Sequence, residues 1–276
     1  MKNARVESGK FKGKKLNLPS FATTRSTKSR VKACVFNTLR GELAGKIFVE
    51  VFGGSGAMAF EALSNYAMGA IIIEKDTKAY KIACENARML LGGENLATCG
   101  NANLNFNGNL GKFEREILNS NENLGICDLK SLNFSENLRK FSVFSVKNTR
   151  IYNADSFELL PALFADEKFS QMPVIAYFDP PFHLRNGFDD IYERVFALIN
   201  SLQNLKQSPN LRASNSQNSN SQALNSQNLN LQAFIIEHSS QISTPATLGI
   251  FTQYKFKKFG KTNLSFYHLP TNISHD

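Results

Sequence analysis

The chain has 276 residues, of which 42% are hydrophobic and 20% are charged, and this composition is typical of a folded globular protein. No apolar stretch approaches the roughly 20 residues that a membrane span needs, and the basic opening lacks the apolar core of a secretory peptide. Four scattered cysteines without a CxxC pair argue against a zinc site, and they fit a reducing compartment better than a disulfide framework. We therefore expect a cytoplasmic protein that binds neither a membrane nor a metal ion.

The net charge of +9 is concentrated near the N-terminus. Residues 1–46 carry twelve Lys and Arg against two Glu, a net +10, whereas the other 230 residues carry 20 basic and 21 acidic side chains. The stretch RVESGKFKGKKLNLP predicts a basic two-stranded hairpin, and TRSTKSRVKACVFNTLRGEL predicts an amphipathic helix with basic residues on its polar side. We interpret residues 1–45 as a separate extension that binds a polyanion, most often a nucleic acid. A solvated basic surface that only aids solubility is the alternative.

From residue 46 onward, strands alternate with helices. The predicted order is strand IFVEVF, turn GGSG, helix AMAFEALSNYA, strand AIIIEKD, and helix TKAYKIACENARMLL with Thr77 as its N-cap. Strands TRIYNA, VIAYF and AFIIEHSS follow, with helices SFELLPALF and FDDIYERVFALINSL after the first two. TQYKFKKF and NLSFYHL have no helix between them and predict a terminal antiparallel hairpin. The pattern indicates an α/β domain over residues 46–276, with a mostly parallel sheet covered on both faces.

Two polar stretches interrupt this pattern. Residues 92–147 are rich in Asn, and 20 of the 30 residues in 203–232 are Asn, Gln or Ser. Such compositions bury too little apolar area to offset the chain entropy that folding removes. We predict surface insertions without a catalytic role at both places, the second largely disordered.

Four acids stand at or just after the carboxyl ends of four successive predicted strands: Glu50, Glu74, Asp155 and Asp179. Ligands of open parallel sheets bind at that edge, and the turn that contains Gly53, Gly54 and Gly56 would bring backbone close to a ligand there. Each acid has a structural alternative, such as Asp155 as the N-cap of the next helix. The four together favour a nucleoside cofactor.

The charges near the turn narrow the choice of cofactor. A pyrophosphate would be repelled by several carboxylates, and the turn matches neither GxGxxG nor GxxxxGK[ST]. S-adenosylmethionine fits better, because it carries adenosine, a sulfonium and an ammonium group but no phosphate. A nicotinamide oxidoreductase is the more distant alternative.

The strand VIAYF ends in DPPF, which gives that edge of the sheet a second function. The rigid prolines could hold the carboxylate of Asp179 and the carbonyl of Pro180 toward one exocyclic amine, with Phe182 available for stacking a base. Hydrogen bonds to the amine would help its conjugated nitrogen to become a nucleophile. A proline-rich strand exit with a packed Phe182 is the structural alternative.

These motifs resemble the RsmD family of class I methyltransferases, which methylate the N2 amine of one guanine in small-subunit ribosomal RNA. The resemblance rests on SGKFKGKKL, TRSTKSRVKACVFNTL, VEVFGGSGAMAFEALSNYAMGAIIIEKD, NAD, YFDPPF, IIEHSS and KKFGKTNLSFY. It implies a Rossmann-like fold with a seven-stranded sheet, S-adenosylmethionine as the cofactor, and 16S rRNA in the small subunit or its assembly intermediate as the partner. It differs from the usual family pattern at Glu50, where Asp is usual, at Gly54, where Ala is usual, and at Ser26, where Pro is common.

The resemblance also assigns roles to individual residues. It implies a cofactor site formed by Glu50, Gly53, Gly56, Glu74 and Asp155. It implies a target-amine site formed by Asp179, Pro180, Pro181 and Phe182. The RNA contacts that it implies are Arg5, Lys12, Lys14, Arg25, Arg30 and Lys32.

Two other functions remain open from the sequence. DPPF serves any exocyclic amine, so a DNA adenine or cytosine amino-methyltransferase is the first alternative. A ribosome assembly factor without catalysis is the second. We expect a monomer, since no obvious apolar patch is left once the sheet is covered.

Overall fold

A computed structural model describes residues 2–19, 25–91, 99–101, 149–166, 169–181, 190–204 and 230–270 of the chain. The chain divides into two compact units, Met1–Leu159 and Leu160–Asp276. Residues 1–45, predicted as a separate extension, lie in the first unit together with the glycine turn. The separate role predicted for residues 1–45 stays a prediction.

The first unit begins with an antiparallel hairpin and continues with parallel strands that alternate with helices. Its strands are β1 (Lys2–Arg5), β2 (Lys15–Leu18), β3 (Ile47–Glu50), β4 (Gly69–Glu74), β5 (Cys99–Asn101) and β6 (Thr149–Asn153). Its helices are α1 (Arg25–Thr38), α2 (Ala57–Ser64), α3 (Thr77–Leu91) and the start of α4 (Ser156–Ala165). β1 pairs with β2, and the parallel strands are ordered β5-β6-β4-β3. The carboxyl ends of β3, β4 and β6 thus lie at one edge.

The second unit is a sheet that changes from parallel to antiparallel pairing. Its elements are a short 3-10 helix (Phe169–Gln171), β7 (Val174–Phe178), α5 (Ile191–Asn204), β8 (Leu231–Ser239), β9 (Thr247–Leu248), β10 (Phe251–Phe259) and β11 (Thr262–His268). β7 and β8 are parallel, whereas β8, β11, β10 and β9 pair antiparallel in that order. The predicted terminal hairpin is confirmed as β10 and β11.

The strands form where the sequence places runs of apolar residues that are buried on both faces. Every residue of β3 and of β7 is buried, and so are Ile71, Ile72 and Ile73 of β4. Continuous apolar runs of this kind are typical of parallel strands covered by helices on both sides. The predicted α/β class with a mostly parallel sheet is confirmed, and β5 and β9, with three and two residues, add to the predicted strands.

Two local predictions need correction. The N-cap of α3 is Asp76 rather than Thr77, because the Asp76 Oδ1 atom accepts the Ala79 N–H at 2.8 Å. Cys84 is disulfide-bonded, whereas the sequence favoured cysteines in a reducing compartment over a disulfide framework. Cys34 carries a free thiol.

The predicted insertions lie mostly outside the described residues. In the first, residues 92–147, the structure describes only the short strand β5. In the second, residues 203–232, it describes the end of α5 and the start of β8. No helix in the described stretches is both long and apolar enough to span a bilayer.

Candidate active site

In the turn between β3 and α2, the backbone passes close to strand β4. The Gly53 N–H donates to the Ile73 carbonyl oxygen at 2.8 Å, and a Cβ atom on Gly53 would lie 2.3 Å from Ile72 Cγ2. Gly56 has φ of 76°, and a Cβ atom there would lie 2.6 Å from the Phe60 ring. Both glycines are therefore required by space, and Gly56 by its left-handed backbone as well.

Backbone donors of this turn and of the helix that follows it are bound to carboxylates from the strands. Glu50 is 5% exposed, and its carboxylate accepts the Ala59 N–H at 2.9 Å and the Met58 N–H at 3.4 Å. Glu74 accepts the Gly54 N–H at 2.6 Å. Glu50 thus supplies the cap that Gly56, which lacks a side chain, cannot give to α2. In a phosphate-binding turn, donors at these positions bind the phosphate.

Glu74 lies at the carboxyl end of β4, where its second oxygen also has a partner. Its Oε1 atom accepts the Asp76 N–H at 2.6 Å. Burial raises the pKa of Glu74 above its usual value, and the hydrogen bonds from the Asp76 and Gly54 backbone oppose that shift. The carboxylate is thus fixed in position on the edge where β3, β4 and β6 end.

Asp155 follows β6 at the same edge and caps α4, as its structural alternative predicted. Its Oδ1 atom accepts the Phe157 N–H at 2.8 Å, and its Oδ2 atom accepts a hydrogen bond from the Lys75 ammonium at 2.8 Å. Asn153 connects the two strand ends, because its Nδ2 atom donates to the Glu74 carbonyl at 2.8 Å and to the Lys75 carbonyl at 3.0 Å. Glu50, Glu74 and Asp155 therefore lie at the edge where β3, β4 and β6 end, and their binding of a cofactor there stays a prediction.

Asp179 lies in the second unit, directly after the buried strand β7. It is partly exposed, Pro180 is buried and Pro181 is partly exposed, whereas Phe182 lies outside the described residues. Phe178 pairs with Ile236 in the parallel register, so the residues that follow, Asp179 and Glu237, lie at the same end of the two strands. The segment DPP (Asp179–Pro181) thus follows the end of β7, where Glu237 of β8 supplies a second carboxylate.

The residues around this exit are buried and hydrogen-bonded to one another. The Tyr177 hydroxyl donates to the Glu237 carboxylate, and the Tyr192 hydroxyl accepts the Ser239 N–H at 3.2 Å. Burial raises the pKa of Tyr192 above its usual range, and the negative charges of Asp179 and Glu237 act in the same direction. Tyr192 therefore stays a neutral phenol beside the two acids.

His238, next to Glu237 in β8, is the first of a series of side chains linked by hydrogen bonds. Its Nδ1 atom lies 3.0 Å from the Ser239 carbonyl oxygen, which can only accept, so Nδ1 carries the proton and Nε2 accepts from Ser265 at 3.0 Å. The Ser265 hydroxyl lies 2.7 Å from that of Thr244, which accepts from Gln253 at 3.0 Å. Burial lowers the pKa of His238, so the ring is held neutral.

The predicted RNA contacts divide into exposed residues and one buried lysine. Arg5, Lys12, Lys14 and Arg30 are exposed, and Arg25 begins α1 but its side chain lies outside the described part of the chain. Lys32 is only 5% exposed; its ammonium lies 3.0 Å from a Glu61 carboxylate oxygen and donates to the Arg5 carbonyl at 2.5 Å. The structure therefore gives Lys32 a packing function, and it does not join the exposed basic residues.

Glu61 and Asn86 are polar residues that the sequence interpretation missed. Glu61, 1% exposed on α2, accepts the Ser8 N–H at 2.8 Å, the Glu7 N–H at 2.9 Å and the Ser8 hydroxyl at 2.7 Å. Asn86, fully buried on α3, accepts the Asn17 N–H at 2.7 Å and donates to the Asn17 and Ser55 carbonyls. The signal for each was a polar residue within an apolar helical face. Through Asn86, the N-terminal hairpin is bonded to the glycine turn.

The fold matches solved structures over most of their length. "Putative methyltransferase yhhF" from Escherichia coli aligns over 97% of this chain and 98% of its own with a TM-score of 0.52 at 18% identity. The Thermus hypothetical protein TTHA0928 aligns over 95% of this chain and 98% of its own with a TM-score of 0.52 at 16% identity. With its glycine turn, its acids at the ends of parallel strands and its terminal antiparallel hairpin, the chain has the fold of the class I methyltransferases.

The sequence comparison identifies the part of that class that this chain resembles. Residues 4–116 match the family described as "Conserved hypothetical protein 95". The chain is 35% identical over 98 residues to "Ribosomal RNA small subunit methyltransferase D" of Escherichia coli (strain K12), which covers 36% of this chain and 50% of that protein. "Uncharacterized methylase RP545" of Rickettsia prowazekii is 34% identical over 94 residues, covering 31% and 40%. The chain thus spans about half the length of the curated relatives it matches, and the similarity is confined to that segment.

Proposed function

We propose that the chain transfers a methyl group from S-adenosylmethionine to the exocyclic N2 amine of a guanine in 16S rRNA. The observation that carries this proposal is the binding of Gly54, Met58 and Ala59 backbone donors to Glu74 and Glu50. In a dinucleotide site these N–H groups would donate to phosphate, whereas here they donate to carboxylates. The turn therefore suits a nucleoside cofactor without phosphate and disfavours the nicotinamide alternative.

The first unit would hold the methyl donor. Glu74 and Asp155 stand where the ribose hydroxyls and the adenine amine would be bound, and Gly53 and Gly56 give close access to backbone. The three carboxylates favour a cofactor that carries positive charge. When bound, S-adenosylmethionine supplies the methyl group of its sulfonium, and the rest of the cofactor is the leaving group, a neutral thioether.

The second unit would hold the amine. The Asp179 carboxylate and the Pro180 carbonyl would accept hydrogen bonds from the two amine protons, which directs the nitrogen lone pair out of conjugation with the ring. As the bond from nitrogen to carbon forms, the amine releases one proton, and Asp179 can receive it. Phe182 would stack on the base once it is unstacked from the RNA.

The exposed basic residues of the first unit would bind the RNA backbone. Arg5, Lys12, Lys14 and Arg30 are exposed, and with Arg25 they would contact phosphates of the small subunit or its assembly intermediate. The name of the relative from Escherichia coli supports ribosomal RNA as the substrate. A ribosomal substrate also supports the expected cytoplasmic location, and we propose that the chain acts as a monomer.

Methyl transfer from labelled S-adenosylmethionine tests this proposal. The substrates are small subunits from cells that lack the protein, naked 16S rRNA and duplex DNA, each with the wild type, Asp179→Ala and Glu193→Ala. Glu193 is an exposed carboxylate on α5 and is the matched control. We expect N2-methylguanine in ribosomal RNA with the wild type and the control, and none with Asp179→Ala.

The other outcomes of this experiment separate the alternatives. Label in duplex DNA would overturn the ribosomal substrate and favour the DNA amino-methyltransferase. Cofactor binding without label in any substrate would contradict catalysis and favour an assembly factor. Equal loss of label in Asp179→Ala and Glu193→Ala would contradict the role given to Asp179.

A further inference from the structure

Asn153 is the last residue of β6 and stands beside the last residue of β4 in the parallel register. Its Nδ2 atom donates to the Glu74 carbonyl at 2.8 Å and to the Lys75 carbonyl at 3.0 Å, and its Oδ1 atom accepts the Thr77 hydroxyl at 3.1 Å. Carbonyl oxygens can only accept hydrogen bonds, so the amide nitrogen has to face β4. One side chain thus holds the stretch from Glu74 to Thr77, where the chain leaves β4 and enters α3.

The stability of the sheet does not by itself require an amide at this position. Asn153 is partly exposed, and Lys75 and Thr77 are exposed. Water can satisfy carbonyl groups at such an edge almost as well as a side chain does. Asn is also among the residues that are depleted in strands. The groups that the amide binds, rather than its effect on the strand, therefore indicate its function.

Both carbonyl groups belong to residues whose side chains lie at the acids of the proposed nucleoside site. The Glu74 carboxylate is itself fixed by two backbone N–H groups, each at 2.6 Å. The Lys75 ammonium donates to the Asp155 Oδ2 atom at 2.8 Å. Asn153 is thus bonded to the backbone of the residue that carries the first acid and of the residue that contacts the second.

The spacing between the two acids depends on how the end of β6 is held against the end of β4. Glu74 is the last residue of β4, and Asp155 follows Asn153 by two residues. The β4–β6 register ends at the Glu74–Asn153 pair, after which the Ala154 N–H donates to the Glu74 carbonyl at 3.2 Å. The Asn153 amide extends this connection one residue further, to Lys75. A nucleoside presents its ribose hydroxyls and its base amine at a nearly fixed separation, so it requires such a fixed spacing.

We propose that Asn153 is a positioning residue for the nucleoside part of the cofactor and that it acts through Glu74 and Lys75. It fixes the spacing of the Glu74 and Asp155 carboxylates, so that the ribose hydroxyls and the base amine of one nucleoside reach both. This inference rests on the proposed function, because it adds a residue to the same cofactor site. Its effect falls on cofactor affinity rather than on the chemical step, since the amine would be bound in the other unit.

Calorimetric titration of the full chain tests this inference. The probes are S-adenosylmethionine and 5′-methylthioadenosine, a nucleoside that lacks the amino-acid end. Asn153→Ala removes all three hydrogen bonds, and we expect it to lower the affinity for both probes about tenfold. In methyl transfer, KM for S-adenosylmethionine should rise by the same factor while kcat stays unchanged. Asn153→Asp keeps the size of the side chain and the acceptor for Thr77 but removes both donated bonds, so it should also lose affinity.

Thr77→Val is the matched control, because it removes the hydroxyl that donates to Asn153 and leaves both carbonyl bonds in place. Its affinity for both probes should stay within about twofold of the wild type. A double-mutant cycle with Glu74→Gln distinguishes positioning from support of the fold. Because Asn153 acts through Glu74, we expect Asn153→Ala to lower affinity by less than about threefold in the Glu74→Gln background.

Three results would overturn the inference. The first is the same loss of affinity from Asn153→Ala in both backgrounds. The second is wild-type affinity in Asn153→Ala together with a lower urea midpoint, because Asn153 would then serve only the fold. The third is a wild type that does not bind 5′-methylthioadenosine.

Methyl transfer by the wild type separates this inference from the proposed function. If the wild type methylates ribosomal RNA while Asn153→Ala binds both probes normally, the inference fails and the function stands. If the wild type methylates no RNA while Asn153→Ala loses affinity for both probes, Asn153 positions a nucleoside site and the proposed reaction fails.

Discussion

The Lys32 ammonium lies 3.0 Å from a carboxylate oxygen of Glu61, and both side chains are almost completely buried. The pair joins α1 to α2 and holds the chain that precedes the hairpin turn, because Glu61 also accepts the backbone N–H groups of Glu7 and Ser8. The N-terminal segment is therefore held to α2 by a buried ion pair and by backbone hydrogen bonds.

Removing one member of this pair should destabilise the protein strongly. We expect Lys32→Met to lower the free energy of unfolding by about 3–5 kcal/mol, because Glu61 would remain charged and buried without its cation. Urea unfolding measures the change. Lys28→Met, which removes an exposed lysine of the same helix, is the control and should change stability by less than about 0.5 kcal/mol. RNA affinity lost from Lys32→Met without loss of stability would show that Lys32 contacts RNA after all.

Gly56 and Gly54 offer a matched pair in the turn. Both have positive φ, 76° and 52°, but a Cβ atom on Gly56 would overlap Phe60, whereas one on Gly54 would meet nothing within 4 Å. We expect Gly56→Ala to cost about 2–4 kcal/mol and Gly54→Ala about 1–2 kcal/mol. Calorimetric titration with S-adenosylmethionine should show a larger loss of affinity for Gly56→Ala. Equal effects on both measurements would mean that the space beside Phe60 is not limiting.

Asn86 should affect the glycine turn through its hydrogen bond to the Ser55 carbonyl. Asn86→Ala leaves the Asn17 N–H and the Ser55 carbonyl without their partner, and we expect a loss of about 2–4 kcal/mol in the free energy of unfolding. Cofactor affinity should fall as well, since Ser55 belongs to the turn. Glu85→Ala, at an exposed position on the same helix, is the control. Normal cofactor affinity in a destabilised Asn86→Ala variant would confine Asn86 to a structural role.

His238 should make stability depend on pH. The folded chain holds its ring neutral, whereas the unfolded chain protonates it near the ordinary value of 6.5, so unfolding takes up a proton below that pH. Stability should therefore fall as the pH drops below about 6.5, by at most about 1.4 kcal/mol per pH unit from this residue. Urea unfolding of His238→Gln across this range should lack that part of the slope. If His268→Gln lowered the pH dependence of the unfolding free energy by the same amount, that dependence could not be attributed to His238.

The strand ends could be predicted from the sequence, but the partners of the acids could not. Continuous apolar runs followed by Glu50, Glu74 and Asp155 identify the strands and their carboxyl edge. Which backbone donors face each carboxylate depends on the path of the turn, and spacing does not encode that path. The prediction of Thr77 as the N-cap of α3 failed for the same reason, because the preceding Asp76 is also a good cap and only the backbone path decides between them.

Lys32 shows a signal that was present and not used. It precedes Val35, Phe36 and Leu39 by three, four and seven residues, which places it on the buried face of α1. Its charge suggested a polar position, but the periodicity indicated burial with a partner. Glu61, the required acid, stands within the apolar face of the next helix and could have been paired with it.

Three hydrogen bonds within the protein fix the turn from Gly53 to Gly56: Gly53 to Ile73, Gly54 to Glu74, and Gly56 to Gly53. Fixing the backbone of one residue costs about 1–2 kcal/mol in conformational entropy. Because the turn is already fixed, the affinity for a nucleoside would not be reduced by this cost for each residue of the turn. Association at this turn would then need no folding step.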